Sequence, residues 1–234
     1  MASQHDALIR TAATNCGALV EPGPSFVETK LVRAFCASVL STQPTAFAAP
    51  TFVPIPEWNP QPGGTDIVVS APGVFDGRLL LEVKVDDIEQ MLWDLFKVVS
   101  GSPIDDVGAV YLLGAARAVK SRGLVEARWA GSQACGELFD PENSGRIWEA
   151  RWMLETWAKA WVSLLAGGSA RPKRVPARVR VTFIGSSHVP AFPGHEVRCV
   201  EVDVEGDEWL EMRDGRLVRA PSSDDPAFEA DEWL

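Results

Sequence analysis

Gly63-Gly64-Thr65-Asp66-Ile67-Val68-Val69 and, one turn later, Arg78-Leu79-Leu80-Leu81-Glu82-Val83-Lys84-Val85 are the stretches on which the reading of this chain rests. The first reads as a glycine-rich entry into an apolar strand. Ala71 to Gly77 (APGVFDG) supplies turn residues, and the second stretch reads as the next strand. On a strand, residues two apart project to one face, so Glu82 and Lys84 face the same way, with Asp66 at the start of the neighbouring strand. Charged side chains set against Leu79 to Leu81 are costly to bury unless they pair or bind an ion. Two acids and a lysine gathered at one end of a sheet therefore point to a functional site.

The flanking sequence supplies the rest of an α/β layout. Downstream, Asp86-Asp87-Ile88-Glu89 opens a predicted helix to about Ser100, with Asp86 as its N-cap. Ile88, Met91, Leu92, Leu95, Val98 and Val99 follow the 3-4 spacing of its apolar face. Val107 to Leu113 is then a buried strand, and the alanine-rich Ala115 to Ser121 a short helix. Upstream, residues 5–18 have a weak helical pattern. Ser25 to Leu40 is a stronger helix, opened by the capping-box spacing Ser25-x-x-Glu28. A proline-rich connection runs from Gln43 to Pro62, with Thr51 to Ile55 as an edge-strand candidate.

Collected in order, the middle of the chain is helix, strand, strand, strand, helix, strand. With Asp66 before one central strand and Glu82-x-Lys84 on the next, it resembles the PD-(D/E)XK nuclease superfamily, the restriction-endonuclease-like fold. The resemblance covers roughly Ser25 to Leu113 and implies an αβββαβ core with a C-terminal helix and β-hairpin extension. It implies that Asp66 and Glu82 hold a divalent ion, Mg2+ or Mn2+, that Lys84 positions or activates the attacking water, and that Glu28 is the acid contributed by the first helix. Gly63-x-x-Asp66 matches the variant in which glycine replaces the proline of the motif. Some members place a glutamine followed by a tyrosine on the helix after the ExK strand. Here Gln90 matches the first, but Asp94 stands four residues on, so Gln90 has a supporting role at most.

The implied chemistry is self-consistent. Phosphodiester hydrolysis needs charge neutralisation on the phosphate and a water of lowered pKa, and a hard cation held by carboxylates supplies both. A nearby lysine orients the water or stabilises the developing charge. Each residue also has a purely structural role open to it. Glu28 is equally the N3 member of a capping box with Ser25, and Glu82 with Lys84 is equally the polar face of an edge strand. Glu28-Thr29-Lys30 repeats the ExK pattern, but on a predicted helix with no preceding strand acid.

The C-terminal part carries a predicted long helix from Ser144 to Ala166 with Trp148, Trp152, Trp157 and Trp161, whose stripe reads as core packing rather than a base-stacking surface. Ala177 to Ile184 and Glu196 to Val204 alternate like strands, and Asp214-Gly215 is a hairpin turn signal. The layout divides into a core over residues 1–140, a tryptophan-rich helix with additional strands packed on it over 141–220, and an acidic, poorly ordered tail over 221–234.

The net charge of −10 on 234 residues argues at first against a nucleic-acid partner, but its distribution weakens that argument. From Glu201 to Leu234 there are 12 acidic and 3 basic residues, leaving 20 acids against 19 bases in the preceding 200. Arg171, Lys173, Arg174, Arg178 and Arg180 form a basic cluster suited to phosphate contacts with DNA, or else an ordinary charged strand face. Cys16, Cys36, Cys135 and Cys199 form no CxxC pair and read as free thiols of a cytoplasmic protein. The N-terminus lacks the pattern of a secretory signal, and no apolar run is long enough to span a bilayer.

GxSxG, P-loop and GxGxxG motifs are absent, and His5, His188 and His195 have no zinc spacing with any cysteine. His188 and His195 read as surface turn residues around a proline-containing loop. The leading expectation is a nuclease, with a homodimer or a protein partner open. The alternative is a non-catalytic interaction or regulatory subunit that keeps the fold, and a third is a dormant toxin-like nuclease that needs an activator.

Overall fold

The computed structural model describes residues 4–50, 65–86, 107–120, 127–129, 136–157, 174–213 and 216–220, together with Leu92, Leu95, Phe96 and Val99. It is a mixed α/β protein organised on one large sheet. Helix α1 spans Gln4–Cys16 and α2 spans Glu28–Thr42. Strands β1 (Phe47–Pro50), β2 (Ile67–Ser70) and β3 (Arg78–Val85) follow as an antiparallel run. Between β3 and β4, Leu92, Leu95, Phe96 and Val99 are helical and buried, and β4 (Val107–Lys120) returns parallel to β3. A parallel return needs such a crossover, because the chain must travel back along the sheet before it can pair again.

The sheet continues beyond β4. Strands β6 (Arg146–Glu149), β8 (Arg178–His188) and β9 (His195–Val204) complete the order β1-β2-β3-β4-β9-β8-β6, and β5 (Ala127–Trp129) pairs with the far end of β4. Helix α3 (Ala150–Trp157) leaves directly from β6. A small second sheet orders β11 (Arg216–Arg219), β10 (Trp209–Arg213) and β7 (Arg174–Pro176).

Strand alternation divides the core. Ile67, Val69, Leu79, Leu81, Val83, Tyr111 and Leu113 face the side covered by α1 and α2, where Ile9, Leu31 and Phe35 are fully buried. Val68, Leu80, Val110 and Leu112 face the opposite side, with Leu95, Phe96, Trp148, Met153 and Leu210. The 3-10 turn Gly17–Leu19 that follows α1 approaches β8 so closely that a Cβ on Gly17 would collide with the His188 carbonyl oxygen; glycine is required there for contact rather than for backbone angle.

Several expectations are corrected. The alanine-rich Ala115 to Ser121 stretch is not a helix: Ala115, Ala116 and Arg117 continue β4 by pairing with Val197, Glu196 and His195. Cross-strand pairing on both sides outweighs alanine's helix propensity. The helix expected from Ser144 starts at Ala150, because Arg146–Glu149 pairs with β8 as an edge strand. Helix α2 starts at Glu28 behind Val27 as N-cap, with no side-chain cap, so the Ser25–Glu28 capping box does not form. Asp86 has φ 61°, a left-handed angle foreign to an N-cap. The strands of the 141–220 region join the large sheet itself through β9, β8 and β6. Residues 51–64 and 221–234 lie outside the described residues, and with them the edge-strand and tail expectations. The Asp214-Gly215 hairpin is borne out by Arg213 pairing with Arg216.

Candidate functional site

Asp66, Glu82 and Lys84 lie at one end of the β2–β3 pair, and Glu28 reaches Lys84 from α2. The Asp66 amide donates to the Leu81 carbonyl at 3.1 Å, and its carboxylate Oδ2 accepts from the Val83 amide at 2.8 Å. The register Ile67 to Leu81, continued by one residue, sets Asp66 opposite Glu82. Both ends of Asp66 are thus bonded to β3, which fixes its carboxylate beside the residue between Glu82 and Lys84. Glu82 is 1 % exposed. A carboxylate withdrawn from water to that degree must be compensated by protein dipoles or by a cation.

Lys84 Nζ stands 3.5 Å from Glu28 Oε1 in the first turn of α2. The Lys84 side chain is 15 % exposed and Glu28 42 %, so the pair adds little to stability and remains open to a ligand. Glu28 also sits where an acid is favoured by the positive end of the helix dipole. The fit to a hard divalent ion is good in donor chemistry: two carboxylates, Asp66 and Glu82, on adjacent strands, one of them buried. The three acids do not form a closed three-donor group with atoms mutually within 4.8 Å. An ion held by Asp66 and Glu82 would therefore complete its shell with water and phosphate oxygens, as magnesium usually does.

Arg178 and Arg180 of the basic cluster are not at this site. Following the register from Glu82 leads through Leu112 and Val200 to Phe183, so Arg180 lies three strands across and three residues along. That separation is about 14 Å by about 10 Å from strand spacing and rise. Arg180 is also engaged by Glu205, at 2.9 and 3.1 Å. Arg178 is half-buried on the same strand. Arg174 begins β7; Arg171, Lys173 and Gln90 lie outside the described residues.

Other polar groups, missed in the sequence, occupy the site end of the sheet. Arg117 is exposed and pairs in register with His195, whose Nε2 is 3.4 Å from Asp86 Oδ2. The His195 side chain is 15 % exposed and packs edge-on against Phe26 at 5.4 Å, so it is a strand residue in an aromatic setting rather than a surface turn. The end of β4 that carries Arg117 has a helical, alanine-rich sequence, which hides this placement.

A second polar cluster lies on the α1 face. His5 Nδ1 is 2.7 Å from the Tyr111 hydroxyl, which donates to Asp6 Oδ1 at 3.2 Å. Tyr111 pairs in register with Glu201. Burial, followed by the charges of Asp203 and Asp6, raises the Glu201 carboxyl to about 7, and burial raises that of Asp203 as well. The groups facing Glu201 are Asp6 from α1, Tyr111 from β4 and Asp203 on its own strand. Because the folded pKa lies above the ordinary 4.5, the native state holds a proton that the unfolded chain gives up. In chelator-treated protein, stability should fall as pH rises from about 4.5 through about 7 and level off above, and Glu201→Gln should flatten that slope. Urea midpoints across pH check this.

Nucleophilic cysteine chemistry has no support among the described residues. Cys16, Cys36 and Cys199 are unbridged and buried, and burial pushes the Cys16 and Cys36 thiols up to about 12. No described helix is long and apolar enough to cross a membrane. No protein-family model, curated protein or solved structure matches the chain.

Proposed function

We propose that this chain is a divalent-metal-dependent nuclease with a restriction-endonuclease-like core, hydrolysing phosphodiester bonds, and that DNA is its substrate. The observation that carries the reading is the junction of Asp66, buried Glu82 and Lys84 on two paired strands, with Glu28 on Lys84. It is supported by the path α2, β1, β2, β3, helical residues, β4, with β3 and β4 parallel, which is the αβββαβ order of that core.

In this reading Asp66 and Glu82 hold the magnesium or manganese, which neutralises phosphate charge and acidifies a water. Lys84 orients that water and stabilises charge on the phosphate oxygens, while Glu28 fixes the ammonium group in place. Arg117, exposed at the same end of the sheet, is better placed than Arg178 or Arg180 to meet the nucleic-acid backbone. The unbridged, buried thiols suit a reducing cytoplasm.

A second reading has one observation in its favour. Ile147 on edge strand β6 and Trp152 on α3 are both 42 % exposed, a pair suited to a protein partner. It makes the chain a regulatory subunit with no need of metal. The test is incubation of the full chain with single- and double-stranded DNA and RNA oligonucleotides, with magnesium or manganese and with chelator. Cleavage that depends on the divalent ion supports the nuclease; intact oligonucleotides under every condition favour the subunit.

A further inference from the structure

We propose that His5, Asp6 and Glu201 form a second metal site, separate from Asp66 and Glu82, that takes a borderline first-row divalent cation of the zinc type. The donor atoms of these three side chains lie mutually within 4.8 Å, all half-buried. The set is mixed, one imidazole nitrogen with two carboxylates, and that combination suits zinc or its neighbours better than magnesium or calcium, which take oxygen alone.

The elements that bring the donors together are independently fixed. His5 and Asp6 sit in the first turns of α1, which is anchored on the sheet by buried Leu8, Ile9, Ala12 and Ala13. Arg10 further ties the helix to β8, donating to the Ile184 carbonyl at 2.7 Å. Glu201 comes from the middle of β9, on the face where Val197 and Cys199 are wholly buried. A carboxylate at a core-facing strand position interrupts an apolar stripe, and a bound cation offsets its removal from water.

The Tyr111 phenol supports the two helix ligands from beneath. It lies 2.7 Å from one ring nitrogen of His5 and donates to Asp6 Oδ1 at 3.2 Å. Such an outer partner fixes ring orientation and carboxylate position before the ion arrives. The Phe75 ring stands edge-on to the imidazole, 6.0 Å between centroids, and closes one side. Asp203, two residues along β9 on the same face, adds negative charge to the pocket, and Arg180 beside it is engaged by Glu205.

The site joins α1 to β9, so occupancy clamps the N-terminal helix to the sheet. It does not rest on the nuclease reading, and it uses none of that reading's residues. The test is zinc titration by calorimetry into chelator-stripped full chain, with His5→Ala, Glu201→Gln and Asp66→Ala in parallel, each checked for native circular dichroism. One equivalent of zinc should bind to wild type and to Asp66→Ala, and affinity should fall at least about tenfold in His5→Ala and in Glu201→Gln. Tyr111→Phe should weaken zinc while leaving one equivalent bound. Zinc that fails to bind wild type, or that binds His5→Ala and Glu201→Gln as well as wild type, overturns the proposal. So does zinc lost only in Asp66→Ala, because the ion would then belong to the other site.

Discussion

Glu82→Gln should reduce divalent-dependent phosphodiester cleavage by about three orders of magnitude while leaving the fold intact. The substitution keeps the side-chain volume at a position that is 1 % exposed, so no cavity opens and β3 keeps its pairing with β2 and β4. It removes one formal charge from the proposed ion-binding pair. Losing the metal's contribution to the transition state, several kcal/mol, corresponds to about a thousandfold in rate. Stability should move the other way or not at all, because a neutral amide is less costly to bury than a carboxylate. Oligonucleotide cleavage rates and urea midpoints measured on the same preparations separate the two effects. Cleavage within tenfold of wild type would remove Glu82 from the chemistry.

Trp148→Ala should destabilise the protein by about 3 to 5 kcal/mol. The indole is 2 % exposed and packs into the core with Val179, Val181, Met153 and Leu154. Its ring lies 5.9 Å from that of Trp152, and the Arg146 guanidinium sits 4.1 Å over it. Truncation leaves a cavity where β6, β8 and α3 join, and a domain with about 5 to 15 kcal/mol in total would lose a large fraction of its stability. Trp152→Ala removes an indole that is 42 % exposed and should cost far less. Equal denaturant midpoints for the two variants would mean that Trp148 does not fill the core as described.

What the sequence made readable follows from where local pattern and tertiary pairing agree. Asp66 to Val85 was legible because glycine, turn residues and apolar runs mark two strands, and the two-residue period sets Glu82 and Lys84 on one face. The hairpin at Asp214-Gly215 was legible because its turn chemistry is local. Ala115 to Lys120 was not, since its strand character comes from β9 and β5, which are distant in sequence. Arg146–Glu149 shares a helical pattern with the residues after it, and only pairing with β8 makes it a strand. That pairing also decides the role of Trp148.

The candidate site divides along the same line. Asp66, Glu82 and Lys84 lie close in sequence on adjoining strands, so their meeting could be anticipated, and Glu28 joined them through the family resemblance. Arg178 and Arg180 drew attention as a run of charge, but sequence clustering carries no information on how many strands separate a run from a site. His5, Asp6, Tyr111 and Glu201 carried no signal at all. Their meeting depends on the docking of α1 over the β4–β9 pair, a contact between the two ends of the chain.

The most direct measurement on the central claim is calorimetric titration of magnesium into the full chain with an oligonucleotide present, alongside Asp66→Ala and Glu82→Gln. Magnesium should bind wild type and His5→Ala alike, and both Asp66→Ala and Glu82→Gln should abolish that binding. No binding to wild type at millimolar magnesium, or binding that survives both substitutions, would contradict that claim.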